Sequence, residues 1–135
     1  MAKKITEIEG IGPVFQEKLA TAGVTTVEGL LEAGASKSGR KQIAADSGID
    51  ESRLLVWVNM ADLFRIKGVA SQFAELLKAA GVDTVKELRN RNAENLHAKL
   101  VEVQEEKKIT RSVPGLSQVT DYIEQAKELE PMVTY

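Results

Sequence analysis

No cysteine occurs in the chain, which excludes a disulfide framework, a thiol nucleophile and any metal site built on thiolates. Histidine occurs once and aromatic residues make up only 4% of the sequence, so the core has to be built from Leu, Val, Ile and Ala. That mix favours helices, where straight-chain residues and Ala lose little rotamer freedom. No apolar run approaches the length of a membrane span, and the opening Met-Ala-Lys-Lys-Ile-Thr-Glu lacks the apolar stretch of a signal peptide. A cytoplasmic protein with no membrane partner is therefore expected. An excess of one charge is lacking too. The chain carries 18 basic and 20 acidic residues, a formal net charge of −2, which gives no global attraction to nucleic acid or to anionic lipid. Any such binding would have to come from a local patch. A glycine-rich phosphate loop, a zinc signature and a nucleophile elbow are all missing, so neither an enzymatic activity nor a cofactor is expected.

What is present, within 135 residues, is a repeat. Residues 8–30 and 66–88 align without a gap and are identical at 11 of 23 positions, among them Ile8/Ile66, Gly10/Gly68, Phe15/Phe73, Leu19/Leu77, Gly23/Gly81 and Thr26/Thr84. Such internal similarity marks a duplicated structural unit. Each copy starts with a lead-in carrying apolar residues on one face, Ile5 and Ile8 in the first. A tight turn follows at Gly10-Ile11-Gly12, where glycine reaches positive φ at no steric cost. Pro13 suits the first position of the next helix, whose Phe15, Leu19 and Ala22 form an apolar stripe that Gly23 ends.

Thr25 and Glu28 fit a capping box opening a short helix with Val27, Leu30 and Leu31. After a loop from Gly34 to Gly39, Ser36 is expected to cap a third helix. Asp50 is expected to cap a longer one carrying Leu54, Trp57, Val58, Ala61 and Phe64. No Pro or Gly separates that helix from Ile66, so it should run over about 51–66 and fuse the copies rigidly. The second copy repeats this order with Phe73, Leu77, Ala80, a cap at Asp83 and another at Asn92. Its last helix carries Val119, Tyr122, Ile123, Ala126 and Leu129 at an offset of 65, so seven residues are inserted, assigned here to a longer third helix. Nothing alternates as a strand would. The expectation is an all-α chain of two tandem units, residues 1–64 and 65–135, each of four to five short helices.

The pattern apolar-x-x-apolar-x-Gly-apolar-Gly, followed by an amphipathic helix ending in Gly, resembles the helix-hairpin-helix motif. Two turns per unit make the chain similar to the double helix-hairpin-helix (SAM-like) domains of DNA-repair and recombination proteins. Arg40-Lys41, Trp57-Val58-Asn59, Asp62-Leu63, Asn95 to Leu100 and Val133-Thr134-Tyr135 extend the likeness to a bacterial family, common in cyanobacteria. That family is known only as a domain of unknown function related to such DNA-binding domains. The resemblance implies non-sequence-specific contact with a DNA backbone, made by hairpin amides and the adjoining helix N-terminus. The donors implied are the amides of Gly10, Ile11 and Gly12 and those of Gly68, Val69 and Ala70, with Ser71 opening the helix of the second copy.

The residues bear on that implication unevenly. Glu9 precedes the first hairpin, and Glu17 is the first charge after it. In the second hairpin Ala70 replaces a glycine, while Arg65 and Lys67 lie upstream. From Arg65 to Arg111 the basic residues outnumber the acidic ten to seven. Lys107, Lys108 and Arg111 precede the Pro114-Gly115 turn, so they could join Arg65 and Lys67 in a basic face. Lys37, Arg40 and Lys41 form a second run with no acid before Asp46. Ordinary solvated helix faces account for the same charges. His97 has no partners fixed for catalysis or metal binding and reads as a partly buried helix residue. Trp57 and Tyr122 hold equivalent places, which points to core packing over base stacking. Two readings stay open: a nucleic-acid (DNA) binding module, and an adaptor for a protein partner.

Overall fold

The computed structural model describes residues 3–135, and these residues form an all-α protein. Eight α-helices are formed by the described residues: α1 (Pro13–Thr21), α2 (Val27–Gly34), α3 (Lys37–Ser47), α4 (Glu51–Leu63), α5 (Ser71–Ala79), α6 (Val85–Arg89), α7 (Ala93–Lys107) and α8 (Leu116–Glu128). The chain divides into two compact units. One comprises residues 1–62 with the last four, Met132–Tyr135, and the other Leu63–Pro131. The helix expected over about 51–66 ends at Leu63, and the Ile66 amide turns back to the Leu63 carbonyl at 3.1 Å.

In the first unit a 3-10 turn, Ile5–Glu7, buries Ile5 completely and leads Ile8 inward at 1% exposure. The Val27 amide donates to the Lys3 carbonyl at 3.0 Å, beside an isolated antiparallel pairing of Lys4 with Thr26. α1 and α2 pack on α3. Leu19 in α1 is fully buried, while Phe15 and Ala22 are half-buried. At the end of α1 the amides of Gly23 and Val24 return to Ala20 and Leu19 at 3.0 and 2.9 Å, with Gly23 at φ +80°. This is a Schellman cap, and the buried Leu19 and Val24 are its usual apolar pair. The loop expected between Gly34 and Gly39 shrinks to two residues, because α2 reaches Gly34 and α3 begins at Lys37. Ser36 caps α3 as expected, accepting from the Gly39 amide at 3.1 Å.

In the second unit α5 packs on α7, and α6 and α7 on α8. The end of α5 repeats the Schellman pattern, with Gly81 and Val82 returning to Lys78 and Leu77 at 3.0 and 2.8 Å. Asn92 caps α7 as expected, accepting from the Asn95 amide at 3.0 Å. α7 is longer than α3 as expected, 15 residues against 11, but it takes up only two of the seven inserted residues, and the other five fall in the loop after it. Carried across the repeat, the end of α3 corresponds to position 105, and α7 stops at Lys107. The loop that follows runs over 108–115, against 48–50 in the first unit. Gln104 holds that loop by accepting from the Thr110 amide at 2.9 Å and donating its side-chain amide to the Thr110 carbonyl.

Candidate functional site

Each copy of the repeat makes the same turn. Gly10 and Gly68 stand at φ +97° and +96°. The next amides, of Ile11 and Val69, donate to the carbonyls of Ile8 and Ile66 at 3.1 and 3.2 Å. An aromatic ring closes over each glycine. A Cβ on Gly10 would lie 3.3 Å from Trp57 Nε1, and one on Gly68 would lie 3.1 Å from Tyr122 Cε1. Trp57 and Tyr122 are each 3% exposed, so both rings are core and neither offers a face to a base.

Two positions further on, the glycine is dispensable to the backbone. Gly12 (φ −98°, ψ −168°) and Ala70 (φ −110°, ψ −173°) are both extended, and a Cβ on Gly12 would meet nothing within 4 Å. Ala70, which replaces the motif's second glycine, therefore leaves the second hairpin's path unaltered. The implied donors also shift. The Ile11 and Val69 amides are spent inside the turn and are not offered to a ligand. The first-turn amides of α1 and α5 lack acceptors within their own helices, and neither helix carries an acid in that turn. α5 opens on Ser71, whereas Pro13 removes one donor from α1.

Side chains of α8 clamp the second hairpin. Gln125 accepts from the Lys67 amide at 2.8 Å and donates to the Lys67 carbonyl at 3.1 Å, with its side-chain nitrogen also donating to Asp121 at 2.8 Å. The Tyr122 hydroxyl donates to the Gly68 carbonyl at 3.3 Å. Burial raises the Tyr122 phenol above its ordinary range, and the Asp121 carboxylate adds to the effect, so the hydroxyl stays a donor. The position in α4 that matches Gln125 is Met60, buried and unable to hold a peptide group. Sequence reasoning passed over Gln125. Its spacing from Tyr122 (i, i+3) puts both on one helix face, which is the signal that was available.

The charges gather less than expected. Arg65 and Lys67 line a groove of about 500 Å³ together with Asp121, Gln125, Glu128 and Leu129, so two cations face two carboxylates. One Arg65 nitrogen donates to the Glu130 carbonyl at 2.8 Å, and Lys67 is exposed. Lys107, Lys108 and Arg111 are exposed at the end of α7 and in its loop, and none of them lines this groove. Lys108 closes α7 at φ +51°. In the first hairpin the places of Arg65 and Lys67 are taken by Glu7 and Glu9, both exposed.

Lys37 and Lys41 are exposed, but Arg40 between them is not. It is 4% exposed, and its guanidinium donates to the carbonyls of Gly34 at 2.9 Å, Ala35 at 3.0 Å and Thr134 at 2.6 Å. Those donors are committed, so Arg40 leaves the candidate basic run and becomes a structural clamp. Arg40, Ile43 and Ser47 are the buried residues of α3 and recur at i, i+3, i+7, a periodicity that counting charges overlooks. Sequence reasoning also missed Arg53, whose guanidinium lies 4.9 Å from the Phe15 ring centroid; that ring meets Trp57 edge-on at 5.0 Å. His97 is half-buried, and among the described residues no group of His, Asp and Glu could hold a metal ion. No helix among the described residues is long and apolar enough to cross a membrane.

These features define an all-α protein with two copies of a glycine turn, the second braced by Gln125 and Tyr122. The chain belongs to the family described as a domain of unknown function, DUF4332, whose model matches residues 9–129. It is similar to the poly(3-hydroxyalkanoate) polymerase subunit PhaC of Haloferax mediterranei, with 43% identity over 54 residues. That segment is 40% of this chain and 10% of the polymerase subunit, so the chain matches about a tenth of the length of this curated relative. No solved structure matches the chain.

Proposed function

We propose that the chain is a non-enzymatic binding module of two tandem helix-hairpin-helix units, and that its second hairpin contacts the sugar-phosphate backbone of nucleic acid. The observation that carries this reading is the braced turn at 66–70. Gly68 is locked under Tyr122, the Lys67 peptide is held on both sides by Gln125, and exposed Lys67 stands beside the acid-free first turn of α5. Donors fixed before binding lose little entropy when a phosphate arrives, and a helix N-terminus favours an anion. The residues assigned to the contact are Lys67, Ala70 and Ser71, with Arg65 at the flank. Lys107, Lys108 and Arg111 would supply longer-range attraction.

A second reading, an adaptor for a protein partner, is favoured by two observations. The groove beside Lys67 carries Asp121 and Glu128 as well as cations, a mixed lining that suits a polypeptide better than a polyanion. The similarity to a short stretch of a much longer polymerase subunit also suits a portable module joined to other proteins.

Fluorescence-anisotropy titrations with duplex DNA and with RNA, at low and at physiological salt, separate the two. The nucleic-acid reading expects binding at low salt that weakens steeply as salt rises. Lys67→Glu should weaken it about tenfold, the equivalent of ~1.4 kcal/mol. Lys78→Glu, at the opposite end of α5, should have little effect. Absence of binding at low salt removes this reading and leaves the adaptor.

A further inference from the structure

The two copies of the repeat offer an internal control on what the fold needs. Gly10 and Gly68 reach nearly the same φ, +97° and +96°, and the turn amides of Ile11 and Val69 close at 3.1 and 3.2 Å. The first copy makes this turn without a polar brace. At the offset of 65 that relates α4 to α8, Asp121 and Gln125 correspond to Val56 and Met60. Met60 is buried and Val56 is exposed, and neither carries the amide or carboxylate of which the brace is made. Forming the hairpin therefore does not require Asp121 or Gln125. The brace occurs in the copy whose flanks are Arg65 and Lys67, and is lacking where the flanks are Glu7 and Glu9. This pattern ties it to what the hairpin does.

Within the brace each hydrogen bond fixes the next. The Lys67 amide donates to Gln125 Oε1 at 2.8 Å, and Gln125 Nε2 donates to the Lys67 carbonyl at 3.1 Å and to Asp121 Oδ2 at 2.8 Å. A primary amide has two N–H donors, and here both are used. An ionised carboxylate only accepts, so Asp121 keeps the nitrogen of Gln125 on its own side and sets which way round the amide stands. The two residues are neighbours at i, i+4 on α8, so this bond forms within one helix and needs nothing from the hairpin. The Gln125 amide is thus oriented to receive both polar groups of the Lys67 peptide, immediately before Gly68. Asp121 also lines the groove beside Lys67. A carboxylate there repels phosphate, so its charge opposes the contact while its hydrogen bond supports it. The two effects act in opposite directions and can be separated.

We propose that Asp121 is a positioning residue for the second hairpin, orienting Gln125 so that the Lys67 peptide is set in place before nucleic acid arrives. This rests on the nucleic-acid reading given above. The test compares full-length Asp121→Asn with Asp121→Ala. Both remove the same charge, and only Asn keeps an oxygen that accepts from Gln125. Amide hydrogen exchange at Lys67, followed by NMR, should stay slow in Asp121→Asn and become several-fold faster in Asp121→Ala and in Gln125→Met. Urea midpoints of all three should stay close to that of the native chain, as the unbraced turn of the first copy implies. In low-salt anisotropy titrations Asp121→Asn should bind nucleic acid a few-fold more tightly than the native chain. Glu128→Gln, which removes a groove charge outside the brace, should do the same. Asp121→Ala should bind several-fold more weakly than Asp121→Asn. Equal affinities of the Asn and Ala variants, or Lys67 exchange unchanged by Asp121→Ala, overturn the positioning role and leave the hairpin reading standing. A marked fall in the Gln125→Met midpoint would make the brace a requirement of the fold and overturn the role as well. A native chain that binds no nucleic acid at low salt removes the hairpin reading, and this role with it.

Discussion

Gly68 and Ala70 stand two residues apart in the same turn and obey opposite constraints. Gly68 needs a positive φ, and a Cβ there would press on the Tyr122 ring at 3.1 Å. Ala70 and its counterpart Gly12 have extended backbones that any residue adopts. Gly68→Ala should therefore cost about 1–3 kcal/mol in urea denaturation, the usual range for strained non-glycine backbone. Gly12→Ala should move stability by less than about 1 kcal/mol, since it only reduces the freedom of the unfolded chain against a slightly poorer cap. Equal costs at the two positions would contradict the assignment. Glycine by itself does not declare which kind it is. Repeating the turn does, because the first glycine is retained in both copies and the second is not.

Tyr122 gives a pH test at the same scale. Its folded phenol titrates above the unfolded value, so the unfolded chain releases this proton first as pH rises. Its contribution is complete below the unfolded pKa of about 10 and is lost as pH climbs through the folded one. Denaturation midpoints of the native chain should fall more steeply above that point than those of Tyr122→Phe. Parallel curves would show that burial of the hydroxyl has no such consequence.

At the scale of elements, the short helices α2 and α6 start one residue later than the capping-box pattern suggests. Thr26 and Thr84 are the caps, accepting from Gly29 at 2.9 Å and from Glu87 at 3.2 Å, in place of the expected Thr25 and Asp83. Glu28, expected to close the box, accepts from the Lys3 amide at 2.9 Å and ties down the N-terminal segment. Two adjacent capping residues look alike in a sequence, and the choice falls to the one whose backbone is extended while its hydroxyl reaches the third helical amide. Thr26→Ala and Thr84→Ala should each cost about 1 kcal/mol by thermal or chemical denaturation. Thr25→Ala should cost less than about 0.5 kcal/mol, as at an ordinary surface position. The repeat already held the clue, since Thr26/Thr84 is identical between copies and Thr25/Asp83 is not.

At the scale of the whole molecule, charge is the limiting quantity. A chain with net charge −2 has no long-range attraction for a polyanion, so binding depends on how many cations act together. Contact through Lys67 and Arg65 alone predicts a slope of log affinity against log salt of roughly −2 for duplex DNA. Recruitment of Lys107, Lys108 and Arg111 would steepen it to roughly −4 to −5. Anisotropy at four or five salt concentrations measures the number directly.

The sequence by itself determined that this chain is all-α, where its glycine turns fall, and that Trp57 and Tyr122 belong to the core. Those features are local or periodic: backbone sterics at Gly10 and Gly68, apolar residues at helical spacing, and a duplication that states each of them twice. The caps at Ser36 and Asn92 were legible too, but tertiary structure alone decided the fate of the polar side chains that act over long stretches of chain. Arg40 reads as part of a cationic run and is buried on the carbonyls of Gly34, Ala35 and Thr134. Gln125, unremarkable in the sequence, holds the Lys67 peptide, and Met132–Tyr135 returns to the first unit. A hydrogen bond forms where desolvation leaves a group in need of a partner, and which groups meet across 94 or 58 residues of chain is set only when the helices have packed.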